Sequence, residues 1–373
     1  MANNTLKKIL HSKKVPYKNL DKELRPHIPN HCEKINVFID IHSIYNSLYN
    51  PDLMSLFNKF TRDEKFALSS DLINAAGHYR HYFFSRLNKY TNIFLFYSSK
   101  KNKRALEIDE NYKKEWYEKR LDYESKDYGN MNTMMKNNLK ITSLLSTYIP
   151  HCYLIDGNNV ENFMIPYLII KNKKLEEQFS VIISNDSVYT QYLNIFDSVI
   201  NFQVRGHNSF SIDSENVALS YYKREDKIPN FLKEEPLATT ILYNFNSYID
   251  AICGHNKFDI SPIKGWGVVR VVKKLIKLLK DGKIEIKKYR RRKFLSILYK
   301  EGFFTDEEIK KVYSNLLLTD IVLINKDINN AKYKKIEDQL VDINSLISLR
   351  QSNNKYYSPE YQINLKFIMD GEV

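Results

Sequence analysis

Little in this 373-residue chain suits a membrane or an oxidising compartment. No apolar run approaches the roughly 20 residues of a bilayer span, and the N-terminus lacks a signal-peptide core. Cys32, Cys152 and Cys253 are far apart and odd in number, so no disulfide framework is implied. Each has a histidine nearby (His31, His151 and His255), yet no C-x-x-C or H-x-x-x-H spacing supports zinc. Internal repeats are missing, as are low-complexity tracts beyond local lysine runs. A soluble, intracellular protein is expected, with no membrane partner and no organic cofactor.

What is abundant is positive charge. Lys and Arg number 57 against 44 Asp and Glu, a formal net charge of +13, and the sequence pI is about 9.2. That balance suits an anionic partner, nucleic acid or an anionic surface. The 27 Tyr and 20 Phe, interleaved with lysine, serve base stacking as well as core packing. The length allows two or three domains.

The first 34 residues are basic and broken by Pro16, Pro26 and Pro29. Five apolar runs then read as buried parallel strands: 35–40, 92–97, 152–157, 179–186 and 198–204. Helical patterns lie between them, at 45–56, 63–88, 160–171 and 187–194, and charged aromatic pieces fill 100–140. This alternation predicts an α/β fold with an open, mostly parallel sheet flanked by helices. Pro229 and Pro236 flank a segment expected to be a polar linker, and the pattern from about 237 onward is helical. The expected organisation is an extension (1–34), an α/β core (35–235), a helical module (236–300) and a C-terminal helical region (301–373). That last region is a packing element or a surface for a protein partner.

Acids gather at the predicted strand ends. Asp40, Asp156 and Asp186 end three strands, and Glu161 follows Asp156 on the next helix. In open parallel sheets, ligands sit outside the carboxyl ends of the strands. Clustered carboxylates repel one another unless a cation intervenes, which points to Mg²⁺ or Mn²⁺. Each acid alone would equally cap the helix that follows it.

Residues 248–279 carry the other signal. An apolar helical run leads to Gly265-Trp266-Gly267, and a basic helix follows. Glycines let backbone approach a phosphate, the helix N-terminus aims amides at it, and Lys273, Lys274, Lys277 and Lys280 form one positive face. Val271, Val272, Leu275, Ile276 and Leu279 supply the buried face. The run 287–293 extends the basic surface.

This stretch resembles the helix–three-turn–helix signature of the flap endonuclease (5′ nuclease) superfamily, G-D-x-x-D-N-I-P-G-V-x-G-I-G. His255 and Phe258 stand at its two aspartate positions. Upstream, INVFIDIHSIYNSLY resembles the family's first motif and puts Asp40 at a metal-ligand position. The segment 157–162 is similar to G-x-E-A-D-D, keeping Glu161 and substituting Asn159 and Asn162. Ser184-Asn185-Asp186-Ser187-Val188 is similar to S-x-D-x-D, keeping Asp186. LFYS replaces V-F-D-G, with Tyr97 or Ser98 in place of the acid.

The resemblance spans about 35–300 and implies a PIN-like core, an arch over about 100–140 and a DNA-binding module. It implies Asp40, Glu161 and Asp186 as catalytic residues, and Asp40, Asp156, Asn159, Glu161 and Asp186 as ligands. With so many acids replaced, one weakly held Mg²⁺ or Mn²⁺ is expected rather than a pair about 4 Å apart. Gly265, Gly267, Lys273, Lys274 and Lys277, with Lys113, Lys114 and Arg120 of the arch, are the expected contacts to DNA. Trp116 and Tyr117 offer stacking faces there. The DNA expected is a flap, a junction or a duplex end, met in replication, repair or recombination, with nuclease activity impaired or absent. An active 5′ nuclease with a rearranged metal site, or a non-catalytic polymerase-associated scaffold, are the alternatives.

Overall fold

The computed structural model describes residues 26, 28–30, 32, 35–40, 91–98, 102–114, 152–157, 160–205, 208–212, 216–222, 224–255, 258–286 and 291–328. The helices expected at 45–56 and 63–88, the rest of the arch, and residues 329–373 lie outside that set.

Strands β1 (Ile35–Asp40), β2 (Thr91–Tyr97), β3 (Cys152–Asp156), β4 (Phe179–Ile183), β5 (Val199–Arg205) and β6 (Asn208–Ile212) form one sheet in the order β3-β2-β1-β4-β5-β6. All neighbours pair in parallel except β5 and β6. The mostly parallel sheet flanked by helices is the architecture that the apolar runs predict. β1 is buried along its whole length, as a central strand covered on both faces must be. The strand order reverses direction between β1 and β4, which opens a crevice at their carboxyl ends.

One face of the sheet is aromatic. Phe38 stacks on Phe94 (4.8 Å between centroids), and Phe94 stacks on Tyr153 (5.2 Å), following the register across β1, β2 and β3. Helix α1 (Lys103–Ile108) follows β2, and α2 (Ile165–Asn172) follows a 3₁₀ turn over Asn162–Met164. The buried Tyr192 hydroxyl donates to Phe163 O (2.6 Å) and accepts from Tyr167 N (2.7 Å), tying α2 to α3 (Tyr192–Ile195). The helix expected over 187–194 is a 3₁₀ turn, Ser187–Gln191, followed by α3.

Two expectations need correction. β4 ends at Ile183, not at 186: Ser184 N makes a last bond to Phe202 O (3.1 Å), and Asn185 and Asp186 then lead into the 3₁₀ turn. The segment between Pro229 and Pro236 is no linker: it contains α5 (Asn230–Glu234), whose Leu232 is buried, and Pro236 opens α6 (Pro236–Asn244). Proline is pre-shaped for a first helical turn, so its presence there marks a start rather than a break. Strand β6 and α4 (Ala218–Tyr222) lie before this point.

Helices α6, α7 (Asn246–Cys253), α8 (Val268–Lys280), α9 (Arg291–Lys300) and α10 (Asp306–Thr319) build a second core around Phe245, Val271, Leu275, Phe294 and Leu316. α10 then returns to the sheet. Its Leu318, with Ile321 and Ile324 of α11 (Ile321–Ile328), packs into the aromatic core, while Val312 and Leu316 stay in the helical one. Arg104 Nη2 donates to Leu317 O (2.9 Å) and Gln191 Nε2 to Thr319 O (2.9 Å), fixing the end of α10 to the sheet layer.

Candidate nucleic-acid interface and strand-end acids

The turn before α8 is held from within. Gly265 sits at φ +78°, Trp266 N donates to Ile263 O (3.0 Å), and Arg270 Nη1 donates to Gly265 O (2.7 Å). Trp266 is buried, stacked on Phe303 (5.5 Å) and tilted against Phe304 (5.0 Å). It therefore anchors the turn and leaves Gly265 and Gly267 on the surface. Gly267 is the N-cap of α8 and offers no side-chain cap, and no acid lies in the first turn. The first amides and the positive end of the helix dipole are thus free for an external anion.

Cations line the same end. Arg270 lies over the Trp266 ring (4.7 Å), Lys274 over Trp266 (4.6 Å) and Phe303 (4.8 Å), and Lys273 over Phe231 (4.7 Å). Burial against these rings, then the charges of Arg270 and Lys277, hold the Lys274 ammonium below its ordinary pKa. Like charges crowded in this way favour an anionic ligand. Lys273 and Lys277 are exposed, while Lys280 pairs with Glu235 (3.4 Å). On the buried face Leu278 is fully covered, and Leu279 is only partly so.

The acids lie at the switch point, where β1 and β4 end. Asp40 is fully buried; its Oδ1 accepts from Asn162 Nδ2 (3.2 Å) and its Oδ2 from Ser184 Oγ (3.3 Å) and Tyr189 OH (3.1 Å). Burial, then the charges of Asp40 and Asp186, push the Tyr189 hydroxyl well above its ordinary pKa, so it stays a donor. Asp186 Oδ1 accepts from Val188 N (3.2 Å), capping the 3₁₀ turn, and lies 3.1 Å from His255 Nε2. His255 Nε2 is also 3.3 Å from Ser187 Oγ. Glu161 Oε2 forms an ion pair with Lys113 Nζ.

These partners bear on the ion that the resemblance implies. Among the described residues, no three His, Cys, Asp or Glu side chains are grouped as ligands for a metal ion. Each of the three carboxylates already faces donors of the protein itself. Such a donor set does not fit a two-ion centre, which needs carboxylate oxygens open to both cations.

The chain is similar to several solved structures. One is the bacteriophage T5 flap endonuclease in a pseudo-enzyme–product complex with DNA and metal ions (15% identity, 83% of this chain and 99% of that one, TM-score 0.49). Another is the T5 5′-exonuclease with bound zinc (14% identity, 83% and 99%, TM-score 0.47). A third is the catalytic core of Rad2 with a DNA substrate (12% identity, 95% and 98%, TM-score 0.33). No family profile and no curated protein matches the chain.

The structure thus brings Asp40 together with Asn162, and Asp186 together with His255. Glu161 is joined to Lys113, one of the expected arch contacts, and Lys114 is exposed beside it. Asp156 ends β3, Asn159 and Arg120 lie outside the described residues, and so do Trp116 and Tyr117. Phe258, at an aspartate position of the family motif, is buried against His255 (4.3 Å), Phe163 (5.4 Å) and Tyr112 (5.8 Å).

Sequence reasoning missed three residues here. Arg270 clamps the turn, Tyr189 donates to Asp40, and Asp250 on α7 is a buried acid whose pKa burial pushes up to about 7. An acid inside the apolar run YIDAIC was the available signal for Asp250.

Proposed function

We propose that this protein is a flap-endonuclease-like DNA-binding protein that holds flap, junction or duplex-end DNA in replication, repair or recombination, with impaired or absent nuclease activity. The observation that carries the reading is α8. Its uncapped N-terminus opens at the exposed Gly265–Gly267 turn, with Arg270, Lys273, Lys274 and Lys277 close by. Contacts of this kind go to phosphates and carry no base sequence, so binding follows DNA shape and falls with salt. The weak or absent cleavage follows from the partners of Asp40, Glu161 and Asp186, which leave their oxygens poorly available to Mg²⁺ or Mn²⁺.

Two measurements test the reading. Replacing Lys273 and Lys274 by Glu is expected to weaken binding to flap and duplex DNA and to lower the slope of log affinity against log salt by about 2. An unchanged slope would favour a protein-binding scaffold instead. A 5′-flap substrate in Mg²⁺ or Mn²⁺ is expected to stay intact; robust cleavage, abolished by Asp40→Ala or Asp186→Ala, would mean an active nuclease with a rearranged site.

A further inference from the structure

A buried carboxylate costs several kcal/mol unless opposite charge or donors meet it. Glu161 and Asp186 are 4% and 6% exposed. Lys113 meets the first, and His255 the second. An ionised carboxylate only accepts hydrogen bonds, so His255 Nε2 carries the hydrogen in this pairing.

Both partners are set in place by one residue. Lys113 adopts φ +54°, its N–H donates to Phe258 O (2.9 Å), and its ammonium lies 4.9 Å from the Phe258 ring centre. His255 stacks on the same ring at 4.3 Å and is bridged to Ile260 through His255 N to Ile260 O (2.9 Å) and Ile260 N to His255 O (3.2 Å). A left-handed non-glycine residue persists only where its surroundings enforce it. Here the bond to Phe258 and the pair with Glu161 do so.

We propose that Lys113 and His255, arranged on Phe258, form a built-in set, a cation for Glu161 and an N–H donor for Asp186, that does for these carboxylates what divalent ions do in a metal-bound cluster. The set also docks His255 and Phe258–Ile260 of the helical module onto the strand ends, so the docked form requires no metal. This deepens the reading given above and rests on it, but its test needs no DNA.

The test compares thermal unfolding and Mn²⁺ calorimetry of the full chain with those of Lys113→Met, His255→Asp and the double variant. The wild-type midpoint is expected to be the same in EDTA and in Mn²⁺, with no saturable heat. Lys113→Met is expected to unfold several degrees lower in EDTA. The double variant is expected to gain saturable Mn²⁺ binding and to recover part of the lost midpoint.

Should the double variant not fold, Lys113→Met combined with Glu161→Gln removes both charges of the pair. It is expected to unfold above Lys113→Met alone, because no uncompensated buried charge remains. Three results would overturn the proposal: a wild-type midpoint that rises saturably with Mn²⁺, a Lys113→Met protein as stable as wild type in EDTA, or a folded double variant that binds no Mn²⁺. A protein that binds Mn²⁺ yet holds DNA as expected would sink this inference and spare the DNA-binding reading.

Discussion

Trp266 stacks on Phe303 at 5.5 Å between ring centres, with the planes 16° apart. This contact joins the turn before α8 to the loop before α10, and it supplies the surface on which Arg270 and Lys274 lie. Trp266→Ala is expected to cost about 3–5 kcal/mol of stability. Trp266→Phe keeps the packing but shrinks the platform, and is expected to weaken DNA binding more than it lowers the urea midpoint. Parallel urea titration and DNA-binding isotherms check this.

Two glycines with similar positive φ are expected to respond very differently to alanine. Gly254 has φ +74°, and a Cβ there would meet Ile260 O at 2.5 Å and Pro262 N at 2.6 Å, both backbone atoms that cannot step aside. Gly282 has φ +67° with nothing within 4 Å. Gly282→Ala is expected to cost about 1 kcal/mol, the strain of the left-handed conformation alone. Gly254→Ala is expected to cost well above that and to displace the turn carrying His255, as denaturant unfolding would register.

Asp250 gives the protein a pH dependence. Burial chiefly raises its pKa from 3.8 to about 7; the charge of Asp186 raises it further, while His255, Tyr221 and Gln191 act to lower it. Because the folded-state pKa lies above the unfolded one, the folded chain binds more protons between about pH 4 and 7. Stability attributable to this group is therefore greatest below pH 4 and is lost as pH rises through 7. Asp250→Asn is expected to flatten that part of the profile and to stabilise the protein at pH 8, measured as the urea midpoint against pH.

Tyr189→Phe removes a donor to Asp40 Oδ2 while leaving the ring in place. A buried acceptor that loses a donor costs about 1–3 kcal/mol. The loss is expected in denaturant unfolding, with the Phe96–Tyr189 ring contact (6.3 Å) preserved by the remaining ring.

The parts of this protein that a linear sequence encodes locally were readable. Apolar runs such as INVFID must be buried on both faces, and an acid at the end of such a run falls at the rim of the sheet; Asp40 follows from that alone, whereas Asp186 lies past the end of β4 and caps the turn that follows. The basic face of α8 follows from its period. The partners of those groups did not, because they come from afar: Lys113 is 48 positions from Glu161, and His255 is 69 from Asp186. Strand β6 was also missed. NSFSI is too polar to read as a buried run, and among the described residues it pairs with β5 alone, at the end of the strand order.

The bonds from Arg104 and Gln191 to the last carbonyls of α10 have a consequence for DNA geometry. With that helix rooted in both cores, the basic end of α8 keeps a set separation from the crevice between β1 and β4. On the proposed DNA-binding reading, the protein would act as a gauge that selects DNA whose path spans that separation, whether or not a bond is cut at the far end.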